Sequence, residues 1–254
     1  MNIAMLGYGR FGRAFAERLQ QAGHKVRAYD PNTKPAGSMA APSAVAAIDD
    51  AHWIVLAMPV PDMASALAEI RTRLDPEQTV IDVGSVKQQP CELMDKVLGR
   101  VIPHLGTHPL FGPLSIARGD ALRVVLCPSD RHPDATARAR ALFDSIRCTT
   151  VVVDAASHDK AMAKTHALAF FIARAMVEMG IGDDLSMAPP SFQGLAGMIA
   201  AVRGDAGHLF AAIQRENPYS EAARAELIEH LQRIDQRLRD GDEAMPIPPP
   251  TAKK

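Results

Sequence analysis

The sequence predicts an α/β fold in which a doubly wound, mostly parallel sheet is followed by an all-helical second domain. Three observations carry this reading. Over the first 150 or so residues, short β-rich runs without polar alternation are separated by helical patterns, which is how strands covered on both faces read. A glycine-spaced turn, GYGRFG (7–12), stands between the first such run and the first helical pattern. From Ser157 onward the pattern becomes helical almost throughout. The expected division is a first domain at 1–154, a helical domain at 155–240 and a disordered tail at 241–254, where PIPPP cannot build a packed element.

Taken in order, NIAML (2–6) is a buried strand, and RFGRAFAERLQQAG (10–23) is a helix stopped by Gly23. Further strands are expected at 25–30, 53–59, 79–84, 100–106, 123–128 and 149–154, with helices at 61–74 and 133–146 between them. GTHPLFGP (106–113) then reads as a loop leaving a strand. In the second domain, SHDKAMAKTHALAFFIARAMVEMG is expected as one helix capped by Ser157 and ended by Gly180. Others are expected at 191–203, 206–215 and 218–239.

Composition excludes several classes. The chain has 254 residues, 47% hydrophobic and 22% charged, with a formal net charge of -1, which is a globular balance. No basic run offers a phosphate-tracking surface, so a nucleic-acid partner is not expected. No apolar run reaches the roughly 18 to 20 residues of a membrane span, and the start lacks the pattern of a secretory signal. Three cysteines without CxxC spacing suggest reduced thiols in a cytoplasm, and the nine histidines show no metal-binding spacing.

GYGRFG matches G-x-G-x-x-G, and its setting between strand and helix makes the match specific for a Rossmann-type dinucleotide site. Gly7 permits the tight turn, Gly9 lets a pyrophosphate approach the backbone, and Gly12 allows close helix–strand packing. The phosphates would sit at the helix N-terminus. Asp30, 23 positions after Gly7, can hydrogen-bond adenine-ribose hydroxyls and would repel a 2'-phosphate, so NAD is favoured over NADP. Asp30 could also simply start the turn DPN, and Arg27 with Lys34 keeps NADP as a minority reading.

Ligands of such sheets bind beyond the carboxyl ends of the strands. Two segments there are chemically loaded, DVGSVK (82–87) and GTHPLFGP. His108 precedes a proline that confines it to extended geometry; taken alone, such a His-Pro pair reads as an ordinary loop histidine. Ser85 could cap a helix starting at Val86, and Lys87 reads as a solvated or phosphate-facing charge.

GYGRFG, MPV (58–60), DVGSVK, GTHPLFGP and HDKAMAKTH (158–166) occur in the order found in prephenate and arogenate dehydrogenases. The chain resembles that family over roughly residues 1–240. The resemblance implies an NAD-dependent enzyme of tyrosine biosynthesis that oxidatively decarboxylates a cyclohexadienol, with a helical domain that builds a homodimer. It implies catalytic roles for His108, which takes the ring-hydroxyl proton, and for Ser85, which contacts the same hydroxyl and orients the histidine. It further implies cofactor contacts from Gly7, Gly9, Arg10, Phe11, Gly12, Asp30 and Pro59.

The departures concern the substrate. Relatives often carry a second histidine where Phe170 stands, and His166 lies one helical turn earlier. An arginine is expected in the following helix to bind a carboxylate, but Gln193 and Ala201 occupy the first places to look. His166 and Arg203 are therefore the candidate substrate-binding groups, with Arg174 behind them. Leu114 follows FGP where some relatives have an acid, which leaves the ammonium of arogenate without a partner and leans the reading towards prephenate. The alternatives are a dehydrogenase of 4-amino-4-deoxyprephenate, a β-hydroxyacid dehydrogenase using Lys160 or Lys164, and an NAD-binding sensor without turnover.

Overall fold

The computed structural model describes residues 1–204 and 207–241. The expected tail from 242 onward, and the start of the helix expected at 206, lie outside the described residues. The first part of the chain builds one seven-stranded sheet in the order β2-β1-β3-β4-β5-β6-β7. Its strands are β1 (Asn2–Leu6), β2 (Lys25–Tyr29), β3 (Trp53–Leu56), β4 (Thr79–Asp82), β5 (His104–Pro109), β6 (Leu122–Cys127) and β7 (Cys148–Val152). All neighbours are parallel except β5 and β6, which run antiparallel with His108 opposite Val125. Helices α1 (Arg10–Gln21), α2 (Ala44–Ile48), α3 (Val60–Ile70), α4 (Gln88–Leu98), α5 (Pro113–Arg118) and α6 (Pro133–Ser145) connect them.

The two faces of the sheet bury separate cores. On one, Phe15 and Leu19 of α1 and Phe143 of α6 pack against Ile3, Trp53 and Leu126. On the other, Met63 and Leu67 of α3 and Met94 of α4 pack against Leu6, Ile54 and Val80. Burying each large apolar side chain contributes on the order of 1.5–3 kcal/mol, and this double cover explains the non-alternating strands.

The remainder is helical: α7 (Ala155–Met162), a π-helical turn at Ala163–Ala167, α8 (Leu168–Glu178), α9 (Gln193–Arg203), α10 (His208–Ala211), a second π-turn at Ala212–Glu216, and α11 (Ser220–Arg239). Phe170, Ala173, Ile199, Val202 and Ile213 form its own core.

Three local expectations need correction. β5 starts at His104 and runs through Pro109, so His108 lies within a strand and not in a loop. Pairing with β6 extends the strand, and Pro109 falls at its end, where a missing N–H costs least. The helix near Ser157 is capped by Asp154, whose carboxylate accepts from the Ser157 N–H at 2.8 Å. The helix expected from 157 to 180 is interrupted by the π-turn that carries His166.

Candidate active site

β1, β3, β4 and β5 are mutually parallel, so their carboxyl ends meet at one edge. The glycine turn lies there. Gly7 has φ +101°, and a Cβ on it would sit 2.6 Å from the Ala57 carbonyl carbon. A Cβ on Gly12 would strike the Gly7 carbonyl oxygen, so both glycines are required by the backbone itself. Gly9 differs: a Cβ there would meet nothing within 4 Å, which leaves bare backbone facing open space. Gly9 caps α1 with no side-chain hydrogen bond, and the first turn holds no acidic residue. Free N–H groups at such an end attract an anion.

Asp30 serves the turn and the loop together. One oxygen accepts from the N–H groups of Asn32 and Thr33, both at 2.8 Å, and the other accepts from Tyr8 N–H at 2.7 Å. Phe11 packs on Phe15 and on Phe111, with centroids 5.6 and 6.0 Å away, so it ties the glycine turn to the segment after His108. Arg10 and Pro59 are exposed at the starts of α1 and α3. Bare backbone, free N–H groups and a carboxylate at the end of β2 fit a dinucleotide.

His108 lies at the same edge. It is buried, and its Nδ1 is 2.8 Å from His158 Nε2. His158 Nδ1 is in turn 2.7 Å from Asp159 Oδ1. Asp159 accepts two backbone hydrogen bonds, from Lys87 N–H at 2.8 Å and Gln88 N–H at 2.9 Å. The middle of α7 is thus fastened to the start of α4. His108 Nε2 has no hydrogen-bonding partner among the described residues. Burial, then the neighbouring His158, Lys87 and His166, holds the His108 imidazole well below its usual protonation range, so it is neutral at pH 7.

Lys87 was expected in solvent or on phosphate, and the structure corrects this. Its side chain is fully buried, bonded to Asp82 Oδ2, and it donates to the Thr107 carbonyl at 2.7 Å. An ammonium cannot enter such a place without a carboxylate, and Asp82, also fully buried, provides one. Ser85 lies half-buried between β4 and α4. It does not cap α4, which starts at Gln88, and it makes no hydrogen bond to His108.

His166 is brought to the site, its ring centroid 6.2 Å from that of His108. It stacks on Phe170 at 4.7 Å, so the two share one face as the spacing implied. Burial and then His158 push it down to about 4, which makes it a neutral ring and not the expected cation. Its Nε2 is buried without a partner. Arg203 is bonded to Asp183 at the surface, and Arg174 to Glu178 at 2.6 Å.

The residues that sequence reasoning missed are His158 and Asp159. The HD pair in HDKAMAKTH was visible, but nothing local shows that it meets a strand 50 residues earlier.

The family model described as prephenate dehydrogenase, nucleotide-binding domain, matches residues 15–152. The chain belongs to the prephenate dehydrogenase family. Its sheet domain is that family's nucleotide-binding domain. Among curated relatives, a 4-amino-4-deoxyprephenate dehydrogenase of Streptomyces pristinaespiralis is 27% identical over 270 aligned residues, covering 95% of this chain and 86% of the relative. A probable arogenate/prephenate dehydrogenase of Methanocaldococcus jannaschii is 22% identical, covering 74% of this chain but only 44% of the relative. Among solved structures, prephenate dehydrogenase of Aquifex aeolicus in complex with hydroxyphenyl propionate and NAD+ superposes with a TM-score of 0.75 at 19% identity, covering 96% of this chain and 92% of that one. A Synechocystis arogenate dehydrogenase has a TM-score of 0.66 at 18% identity, covering 96% and 94%. No described helix is long and apolar enough to cross a membrane.

Proposed function

We propose that this member of the prephenate dehydrogenase family catalyses the NAD-dependent oxidative decarboxylation of prephenate to 4-hydroxyphenylpyruvate. One observation carries the reading: a buried, neutral His108 stands at the carboxyl edge beside the glycine turn with Nε2 unengaged. A neutral imidazole in that place can take the proton of a ring hydroxyl while hydride leaves the same carbon. When bound, the nicotinamide supplies the hydride acceptor. Loss of carbon dioxide then makes the ring aromatic, so the chain's work is to align the ring, accept one proton and exclude water. The family resemblance gives Ser85, half-buried on the loop after β4, contact with the same hydroxyl.

Asp30 supports NAD over NADP, because a carboxylate at the end of β2 opposes a 2'-phosphate. The lean to prephenate over arogenate rests on Leu114, an exposed apolar residue where an ammonium would need an acid. The second reading, 4-amino-4-deoxyprephenate, is favoured by the Streptomyces relative that spans nearly the whole chain. With His166 neutral, it would hydrogen-bond substrate but could not neutralise a carboxylate.

We further propose a homodimer through the helical domain. Ile228, Leu231, Ile234 and Leu238 are exposed along α11, and so long an apolar row suits a second copy. Sedimentation at micromolar concentration should show it. The unpaired thiols Cys91, Cys127 and Cys148 suit a reducing cytoplasm.

The test of function is NADH absorbance with prephenate, arogenate and 4-amino-4-deoxyprephenate, each with NAD and with NADP. Prephenate with NAD should give the highest kcat/KM. His108→Asn should lower kcat by about 10²–10⁴ while NAD affinity stays near normal. Near-normal turnover by that variant removes His108 as the base.

A further inference from the structure

The line His108–His158–Asp159 decides which nitrogen of His108 carries hydrogen. A neutral imidazole has one N–H and one bare nitrogen, and only a bare Nε2 can take a proton from substrate. Asp159 is fully buried, and both of its oxygens accept from backbone N–H groups that can only donate. Its Oδ1 also faces His158 Nδ1 at 2.7 Å. As an ionised, acceptor-only group, Asp159 requires the hydrogen of that contact to sit on His158 Nδ1. His158 Nε2 is then bare, and at 2.8 Å it must accept from His108 Nδ1–H. This leaves His108 Nε2 unprotonated and facing away from the line.

We propose that Asp159, acting through His158, is a positioning residue that locks His108 in its Nδ1–H form and so exposes Nε2 as the base. Without the acid, His158 is free to present Nε2–H to His108, which would put the hydrogen of His108 on Nε2 and disable it. The same line steadies the cation formed during turnover. As the substrate proton binds His108 Nε2, the positive ring keeps its Nδ1–H directed at His158, whose own N–H remains on the Asp159 carboxylate. Lys87 and His166 also face His108, and Asp82 compensates the Lys87 charge, so Asp159 is the acid that the imidazole line itself meets.

This inference rests on the proposed role of His108 as base, but its direct readout does not depend on substrate. Histidine-selective 15N NMR distinguishes the two neutral forms, and the His108 signals are assigned by their absence in His108→Asn. In the wild type at pH 7.5, the His108 signals should be those of the Nδ1–H form. In Asp159→Leu, which removes the acceptor itself, they should shift towards the Nε2–H form, and kcat should fall at least 100-fold with the KM for NAD within about twofold. Asp159 also holds the start of α4, so Asp159→Leu could fail to fold. His158→Leu keeps both backbone bonds to Asp159, and it should likewise release His108 from the Nδ1–H form with a loss of at least 100-fold in kcat. An unchanged His108 form in either folded variant overturns the proposal, as does a wild-type enzyme whose His108 carries hydrogen on Nε2. If the wild type shows the expected form but turns over none of the three substrates, the proposed function fails and the positioning role stands.

Discussion

Two ion pairs in this molecule have similar chemistry and opposite surroundings. Lys87–Asp82 is fully buried beneath β5, whereas Arg203–Asp183 joins α9 to the segment after α8 with 39% and 66% of its side chains exposed. The exposed pair is bathed in a high dielectric and competes with water, so about 0–1 kcal/mol is all it can contribute. The buried pair cannot exchange its partner for water. It also donates to the Thr107 carbonyl one residue before His108, so its geometry is built into the strand that carries the base. A charge that water can reach is replaceable, and a charge that water cannot reach dictates its neighbours.

The comparison breaks most readily at Lys87. Lys87→Met leaves Asp82 buried without its counterion and should cost about 3–5 kcal/mol in denaturant unfolding. The double variant Asp82→Leu/Lys87→Met should recover part of that loss, because it removes the unpaired charge but leaves the Gly84 and Thr107 N–H groups without their acceptor. Equal destabilisation of single and double variants, or a single-variant loss below about 1 kcal/mol, would contradict this account.

A smaller effect comes from the buried neutral imidazoles near this pair. His108 is held well below the ordinary histidine value of 6.5, and His166 is pushed down to about 4. The unfolded chain therefore binds more protons than the folded one between these limits. Stability is complete above about pH 6.5 and declines as pH falls towards 4. His166→Phe should flatten part of that decline, measured as the difference between the two unfolding free energies across the window. Parallel curves for the variant and the wild type would show that His166 titrates normally.

The smallest effect belongs to the exposed pair. Arg203→Ala should change unfolding free energy by no more than about 1 kcal/mol. It also sharpens the functional side of the comparison. If Arg203 only pairs with Asp183, kcat/KM for prephenate should stay within about threefold. A loss above tenfold would return Arg203 to the substrate site, with Asp183 as its resting partner.

Much of the architecture was legible because it rests on local patterns. Unbroken apolar runs identified the strands, and GYGRFG between a strand and a helix identified the nucleotide turn. Boundaries were less legible: β5 gained His108 only through pairing with a strand that follows it in the chain. The exchange of histidine and phenylalanine at 166 and 170 was visible as spacing, and the stacked rings follow from that spacing. That His166 is neutral was not visible, since burial depends on what covers the helix.

By itself, the sequence determined the fold class, the glycine turn and the presence of an imidazole before a proline at the reacting edge. Each follows from steric or periodic rules acting over a few residues. Tertiary structure decided what the charged and titratable groups do. Lys87 became internal because Asp82 faces it, and Arg203 stayed external because Asp183 meets it in solvent. His108 acquired its partners from a helix that starts some fifty residues later. Desolvation and hydrogen bonding depend on neighbours in space, and for these residues those neighbours are distant in the chain.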